Sequence, residues 1–152
     1  MAWISLLIII LGVGLDQIIK QWAIIALPAG KESVIVPNFL ALTRLNNHGA
    51  AYNILSGQRE VFLVITVIAL AVLIYLFFKF KNRSHWLTIS IAFLLAGTIG
   101  NACDRLFRGY VVDMIYLNVF NLPFLSFVCN IADILITIGV ILLLIYVFKT
   151  DE

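Results

Sequence analysis

Four short stretches of this chain set ionisable or amide side chains into runs that are otherwise apolar. Asp113 follows Val111-Val112 and precedes Met114-Ile115, so nothing adjacent in sequence would solvate its carboxylate. Asn130 and Asp133 lie one helical turn apart at the start of the last apolar run. Asn101, Asp104 and Arg105 have the i, i+3 and i, i+4 spacing that puts three groups on one helix face, with a helix-end ion pair as the plainer alternative. Asp16 and Lys20 form an i, i+4 acid–base pair within the first apolar run. A charged group at the centre of a membrane span costs about 2.5 to 3.5 kcal/mol, which makes each of these a functional candidate. Two carboxylates held close together where water is scarce cannot both ionise, so they share one proton. Hydrolysis by an aspartic pair needs that state: one member takes a proton from attacking water, and the other donates to the carbonyl oxygen or the leaving amine. Asp113 and Asp133 are placed to form such a pair. Their spacing alone leaves separate structural carboxylates or an ion-transport site open.

Other hydrolytic designs are missing from the sequence. It contains no HExxH, and His48, His85, Cys103 and Cys129 are too scattered for a zinc site. No serine stands in a GxSxG elbow. The two cysteines read as small apolar fillers rather than a disulfide. The run Asn46-Asn47-His48-Gly49-Ala50-Ala51-Tyr52 reads, taken by itself, as a turn.

The elements that must position these groups follow from composition. Of 152 residues, 63% are hydrophobic and only 12% charged, and the mean hydropathy is +1.10. A water-soluble domain carries roughly 25% charged residues, so that class is excluded. The net charge of +2 is too small and dispersed for a nucleic-acid partner. A span needs about 20 mainly apolar residues, and four are expected, at about 2–27, 61–78, 86–103 and 127–148. The fold class is therefore an all-α membrane protein, a single integral domain over 1–152, with extracytoplasmic segments 28–60 and 104–126. Within the first of these, Ser33–Val36 and Phe39–Leu45 read as strands of a small surface sheet. No Lys or Arg precedes Lys20, so the first span reads as retained rather than as a cleaved leader. Lys79, Lys81 and Arg83 crowd one short loop, which puts that face and both termini in the cytoplasm. Asp16 and Lys20 are expected to neutralise each other, with Lys20 snorkelling outward. Asp133 is expected about six residues into its span, roughly 9 Å of helix. Rival readings of the buried acids are a small proton-coupled carrier, which would show repeated halves and a midplane site, or a structural subunit whose polar residues glue helices.

Taken in order, these blocks resemble the bacterial lipoprotein signal peptidases (signal peptidase II). The likeness rests on Asp16-Gln17 with Lys20, Asn47-x-Gly49-Ala50-Ala51-Tyr52, Gly100-Asn101-x-x-Asp104-Arg105, Gly109-x-Val111-Val112-Asp113 and Asn130-x-Ala132-Asp133. The resemblance implies a four-span intramembrane aspartic endopeptidase with a small sheet cradle, sited in the bacterial cytoplasmic membrane with its active site toward the outer face. It implies cleavage of prolipoproteins just before a diacylglyceryl-modified cysteine, with no metal, cofactor or obligatory protein partner besides substrate and lipids. By this similarity Asp113 and Asp133 are catalytic. Asn47, Gly49, Asn101, Arg105 and Asn130 line or support the site, and Asp16, Lys20 and Asp104 support the structure. Met114 and Tyr52 stand where the family usually has Phe, and Cys129 replaces the Phe that commonly precedes the Asn. These changes are expected to reshape an apolar wall of the pocket. Segments 37–57 and 114–127 are expected to close over the scissile bond.

Overall fold

The computed structural model describes residues 2–49, 58–81, 84–119, 122 and 125–150. Four helices carry the apolar runs: α1 (Ala2–Ala26), α2 (Arg59–Phe80), α3 (His85–Phe107) and α4 (Ile131–Thr150). All four are long and apolar enough to cross a membrane. Four strands, β1 (Ser33–Val36), β2 (Leu40–Asn47), β3 (Val111–Leu117) and β4 (Phe127–Cys129), form one antiparallel sheet in the order β1-β2-β3-β4. Four helices and a small sheet is the expected architecture. The sheet is larger than the sequence suggested, because β3 comes from the segment read only as an extracytoplasmic connection and β4 from the start of the expected last span.

Packing centres on α3, which touches each of the other helices. Its small residues allow close approach to α4: a Cβ on Gly97 would run into the Ala132 carbonyl oxygen. Leu87, Ile91 and Leu95 on α3 form one buried cluster with Leu73 and Phe77 of α2 and Leu143 of α4. A second core joins the bundle to the sheet, where Ala23 of α1 and Leu27 just beyond its end meet Val112 and Met114 of β3. Met114 is 1% exposed and packs into this core. The opposite helix faces are apolar and outward, as at Trp3, Ile18, Ile25, Val67 and Phe148, which suits contact with hydrocarbon.

Three details set the register of the polar residues. Asp104 O accepts from the N–H groups of Arg108 and Gly109, and Gly109 has a φ of 82°, so α3 ends in a left-handed residue that swings the chain into β3. β3 then pairs with β2 so that Leu45 faces Asp113 and Asn47 faces Val111. Strand β2 thus runs two residues beyond the expected Leu45, because Asn46 and Asn47 find ladder partners that override their turn preference. Finally, Phe127–Cys129 pair with Leu117, Tyr116 and Ile115 of β3, so α4 starts at Ile131 and not at Phe127.

Candidate active site

That later start changes the position of Asp133, which is the third residue of α4 and not six residues deep. Asn130 precedes the helix and closes a reciprocal cap. Its side-chain Oδ1 accepts from the Asp133 N–H at 3.0 Å, and Asp133 Oδ2 accepts from the Asn130 N–H at 3.1 Å. Asp113 arrives from β3 and is 2% exposed. Asn130 joins the two acids, because its Nδ2 donates to Asp113 Oδ1 at 2.6 Å. The remaining oxygens are served by two other asparagines, Asn47 Nδ2 to Asp113 Oδ2 at 2.9 Å and Asn101 Nδ2 to Asp133 Oδ1 at 2.9 Å. Each carboxylate oxygen therefore receives one amide N–H.

The orientation of every amide is held by a partner that can only donate. The Gly49 N–H reaches Asn47 Oδ1 at 2.9 Å, the Lys20 ammonium reaches Asn101 Oδ1 at 2.8 Å, and the Asp133 N–H holds Asn130 Oδ1. With their oxygens so engaged, all three side chains turn NH2 groups toward the two acids. Burial pushes the Asp113 carboxyl up to about 6, and the nearby Asp133 charge adds to the rise while the bonds from Asn47 and Asn130 oppose it. Arg105 is within electrostatic reach of Asp133, Asp113 and Asp104, and its guanidinium lies 5.2 Å over the Phe62 ring of α2.

Behind this chamber lies an ion cluster. Lys20 Nζ is 2.9 Å from Asp16 Oδ2 and 3.1 Å from Asp104 Oδ2, with all three side chains fully buried. Arg108 pairs with Asp104 on its other oxygen, giving two acids and two bases. Gln17 bridges the group, donating to the Gly100 carbonyl at 3.0 Å and to Asp16 at 3.1 Å while accepting from Arg108 at 3.0 Å. Gly100 is required there, since a Cβ would lie 2.5 Å from Asp16 Oδ2. The cluster then reaches forward: Asp104 Oδ2 accepts from the Val112 N–H at 3.0 Å, and Asp16 Oδ1 accepts from the Ala132 N–H at 2.9 Å. Each cluster acid so pins the residue immediately before one chamber acid. Among the described residues, no three His, Cys, Asp or Glu side chains are grouped as a metal site.

Comparison with known proteins places this geometry. A family model described as "Signal peptidase (SPase) II" matches residues 8–149. The chain belongs to the signal peptidase II family. Lipoprotein signal peptidase of Streptococcus pneumoniae is 38% identical over 144 residues, covering 95% of this chain and 92% of that protein. Lipoprotein signal peptidase of Enterococcus faecalis is 42% identical over 140 residues, covering 92% and 84%. A solved bacterial membrane enzyme superposes with a TM-score of 0.88 at 37% identity, covering 97% of this chain and 89% of that one. A second gives a TM-score of 0.84 at 39% identity, covering 95% and 92%. Membership of the signal peptidase II family makes this chain a membrane-embedded peptidase.

Within that family frame, the residues singled out by sequence fall into two layers. Asp113, Asp133, Asn47, Asn101 and Asn130 meet in the chamber, with Gly49 acting through the Asn47 amide and Arg105 alongside. Asp16, Lys20 and Asp104 form the layer behind. Lys20 departs from expectation: it turns inward and is fully buried rather than snorkelling, because two carboxylates and an amide oxygen satisfy its three N–H donors. Asp104 pairs with Lys20 and Arg108 instead of Arg105. Sequence reasoning gave no role to Gln17, Arg108 or Phe62. The i, i+4 spacing of Asp104 and Arg108 carried a signal for one of them. Ala50, Ala51 and Tyr52 lie outside the described residues, as do parts of both segments expected to close.

Proposed function

We propose that this protein is an intramembrane aspartic endopeptidase that removes the signal peptide from diacylglyceryl-modified prolipoproteins, cutting before the lipidated cysteine. The observation that carries this reading is the gathering of Asp113 and Asp133 around Asn130. In the reaction, one carboxyl is protonated and the other ionised. The ionised member takes a proton from water as the water oxygen bonds to the scissile carbonyl carbon. The protonated member gives its proton to the carbonyl oxygen, forming a neutral tetrahedral diol. Collapse of the diol breaks the C–N bond: the amine leaves with the proton from one acid while a diol hydroxyl returns its proton to the other, so the pair again holds one proton. A carboxyl raised to about 6, as at Asp113, keeps a proton closer to neutral pH than an ordinary carboxyl does. Neither a metal nor a cofactor enters these steps.

The substrate class fits the setting. Two acyl chains contribute about 0.8 kcal/mol per buried CH2, which anchors the modified cysteine and leaves its peptide bond at headgroup level. In this reading the acids meet the bond there, at the first turn of α4 and beside the sheet. In this reading the chain is one integral domain of the bacterial cytoplasmic membrane, with cytoplasmic termini and the chamber toward the outer face. The test is incubation of detergent-purified protein with a diacylglyceryl peptide, followed by location of the new amino terminus. Cleavage before the modified cysteine supports the reading. Dissipation of a proton gradient in liposomes without any proteolysis would replace it with a carrier.

A further inference from the structure

We propose that Lys20, beyond holding the ion cluster together, is a positioning residue for the reaction, setting through Asn101 the hydrogen bond that Asp133 receives. The inference rests on the dyad reading above. An asparagine side chain is nearly symmetric in shape, so the end facing Asp133 must be decided by its other contacts. With the nitrogen facing Asp133 Oδ1 at 2.9 Å the contact is a hydrogen bond. With the oxygen there, two acceptors would oppose each other in a buried site. Lys20 removes that alternative, because an ammonium has three donors and no acceptor.

The three donors are fully assigned, one each to Asp16, Asp104 and Asn101. Charge balance in the cluster needs only the two acids, together with Arg108 on Asp104. The third bond, to a neutral amide at 2.8 Å, adds nothing to neutralisation and instead links cluster to chamber. Asn101 Oδ1 also accepts from Asn130 Nδ2 at 3.2 Å, and that group is shared with the shorter bond to Asp113. Lys20 is therefore the stronger hold on the Asn101 amide. A cation on the amide oxygen also polarises the amide and strengthens its N–H donation, here toward Asp133.

Lys20→Met alone would strand two buried acids, so the test uses charge-balanced pairs. Lys20→Met with Asp16→Asn keeps Asp104 and Arg108 matched, and the amide introduced at position 16 retains an oxygen for the Ala132 N–H. Lys20→Gln with Asp16→Asn has the same charge but keeps an N–H donor for Asn101. Fold is followed by circular dichroism and thermal midpoint, and cleavage of a diacylglyceryl peptide gives kcat and KM. The Met pair is expected to fold and to lose kcat by about 10- to 100-fold with KM unchanged, the effect of one charge-assisted hydrogen bond. The Gln pair should recover a large part of that loss. Adding Asn101→Ala to the Met pair should cost less than Asn101→Ala costs the parent, because the bond it removes is already weakened. Equal kcat for the Met and Gln pairs, additive losses, or failure of both pairs to fold would assign Lys20 to the scaffold alone and overturn the proposal. Asp113→Asn and Asp133→Asn run alongside. If they retain turnover the dyad reading fails and takes this inference with it; if they abolish turnover while the Lys20 losses are additive, only the inference falls.

Discussion

The four aspartates at this end of the bundle form two pairs in contrasting company. Asp16 and Asp104 face an ammonium and a guanidinium, whereas Asp113 and Asp133 receive their hydrogen bonds from amides. Burial alone does not separate the pairs: Asp113 is nearly as enclosed as the cluster acids, although Asp133 is partly exposed. The kind of partner separates them. A cation fixes a carboxylate by Coulomb attraction, while an amide orients it without cancelling its charge and leaves it able to take up a proton. One pair is thereby suited to scaffolding and the other to proton transfer.

This contrast can be broken in both directions. Asp113→Asn and Asp133→Asn should each lower turnover of a lipidated precursor by about 10²- to 10⁴-fold, the usual range for a lost general acid or base, while the helical circular dichroism survives. Near-native turnover in either variant would erase the distinction. Asp104→Ala should act the other way, costing about 3 to 5 kcal/mol of stability because Lys20 and Arg108 lose a shared acid and the Val112 N–H its acceptor. A thermal midpoint in detergent equal to that of the parent would show that the cluster is dispensable.

A smaller effect sharpens the comparison through pH. The folded value of about 6 for Asp113 lies above the ordinary 3.8. Below pH 3.8 both folded and unfolded chains hold the proton, and as pH rises through about 6 the folded chain is left with a buried anion and loses stability. Asp113→Asn should therefore raise the thermal midpoint at pH 7, by an amount equivalent to about 1 to 3 kcal/mol, and have little effect near pH 4. A gain that is the same at both values would contradict this origin. Smallest is Phe62→Ala, which removes the ring under Arg105 and should reduce kcat/KM several-fold, the scale of a contact worth about 1 kcal/mol. An unchanged kcat/KM would detach α2 from the site.

Much of this arrangement was readable before the structure. Hydropathy alone located four helices, and the chain order of α3, Asp113 and α4 implied that the two isolated carboxylates could meet. What escaped were features decided by distant partners. Asn46 and Asn47 look like a turn until β3 supplies their ladder, and Phe127–Cys129 look like helix until the same strand claims them from its other edge. Lys20 looks like a snorkelling residue because sequence shows Asp16 four positions away but not Asp104 or Asn101 from α3. Local spacing offers two separate i, i+4 pairs, Asp16–Lys20 and Asp104–Arg108, where the fold links all four charges through Lys20 and Asp104.

The bond from the Ala132 N–H to Asp16 spans 116 positions and joins the first helix to the last. A ribosome releases α1 early and α4 at the end, so the backbone beside Asp133 finds its acceptor only when the entire chain has been threaded. Until then Asp113 and Asp133 lack their shared frame.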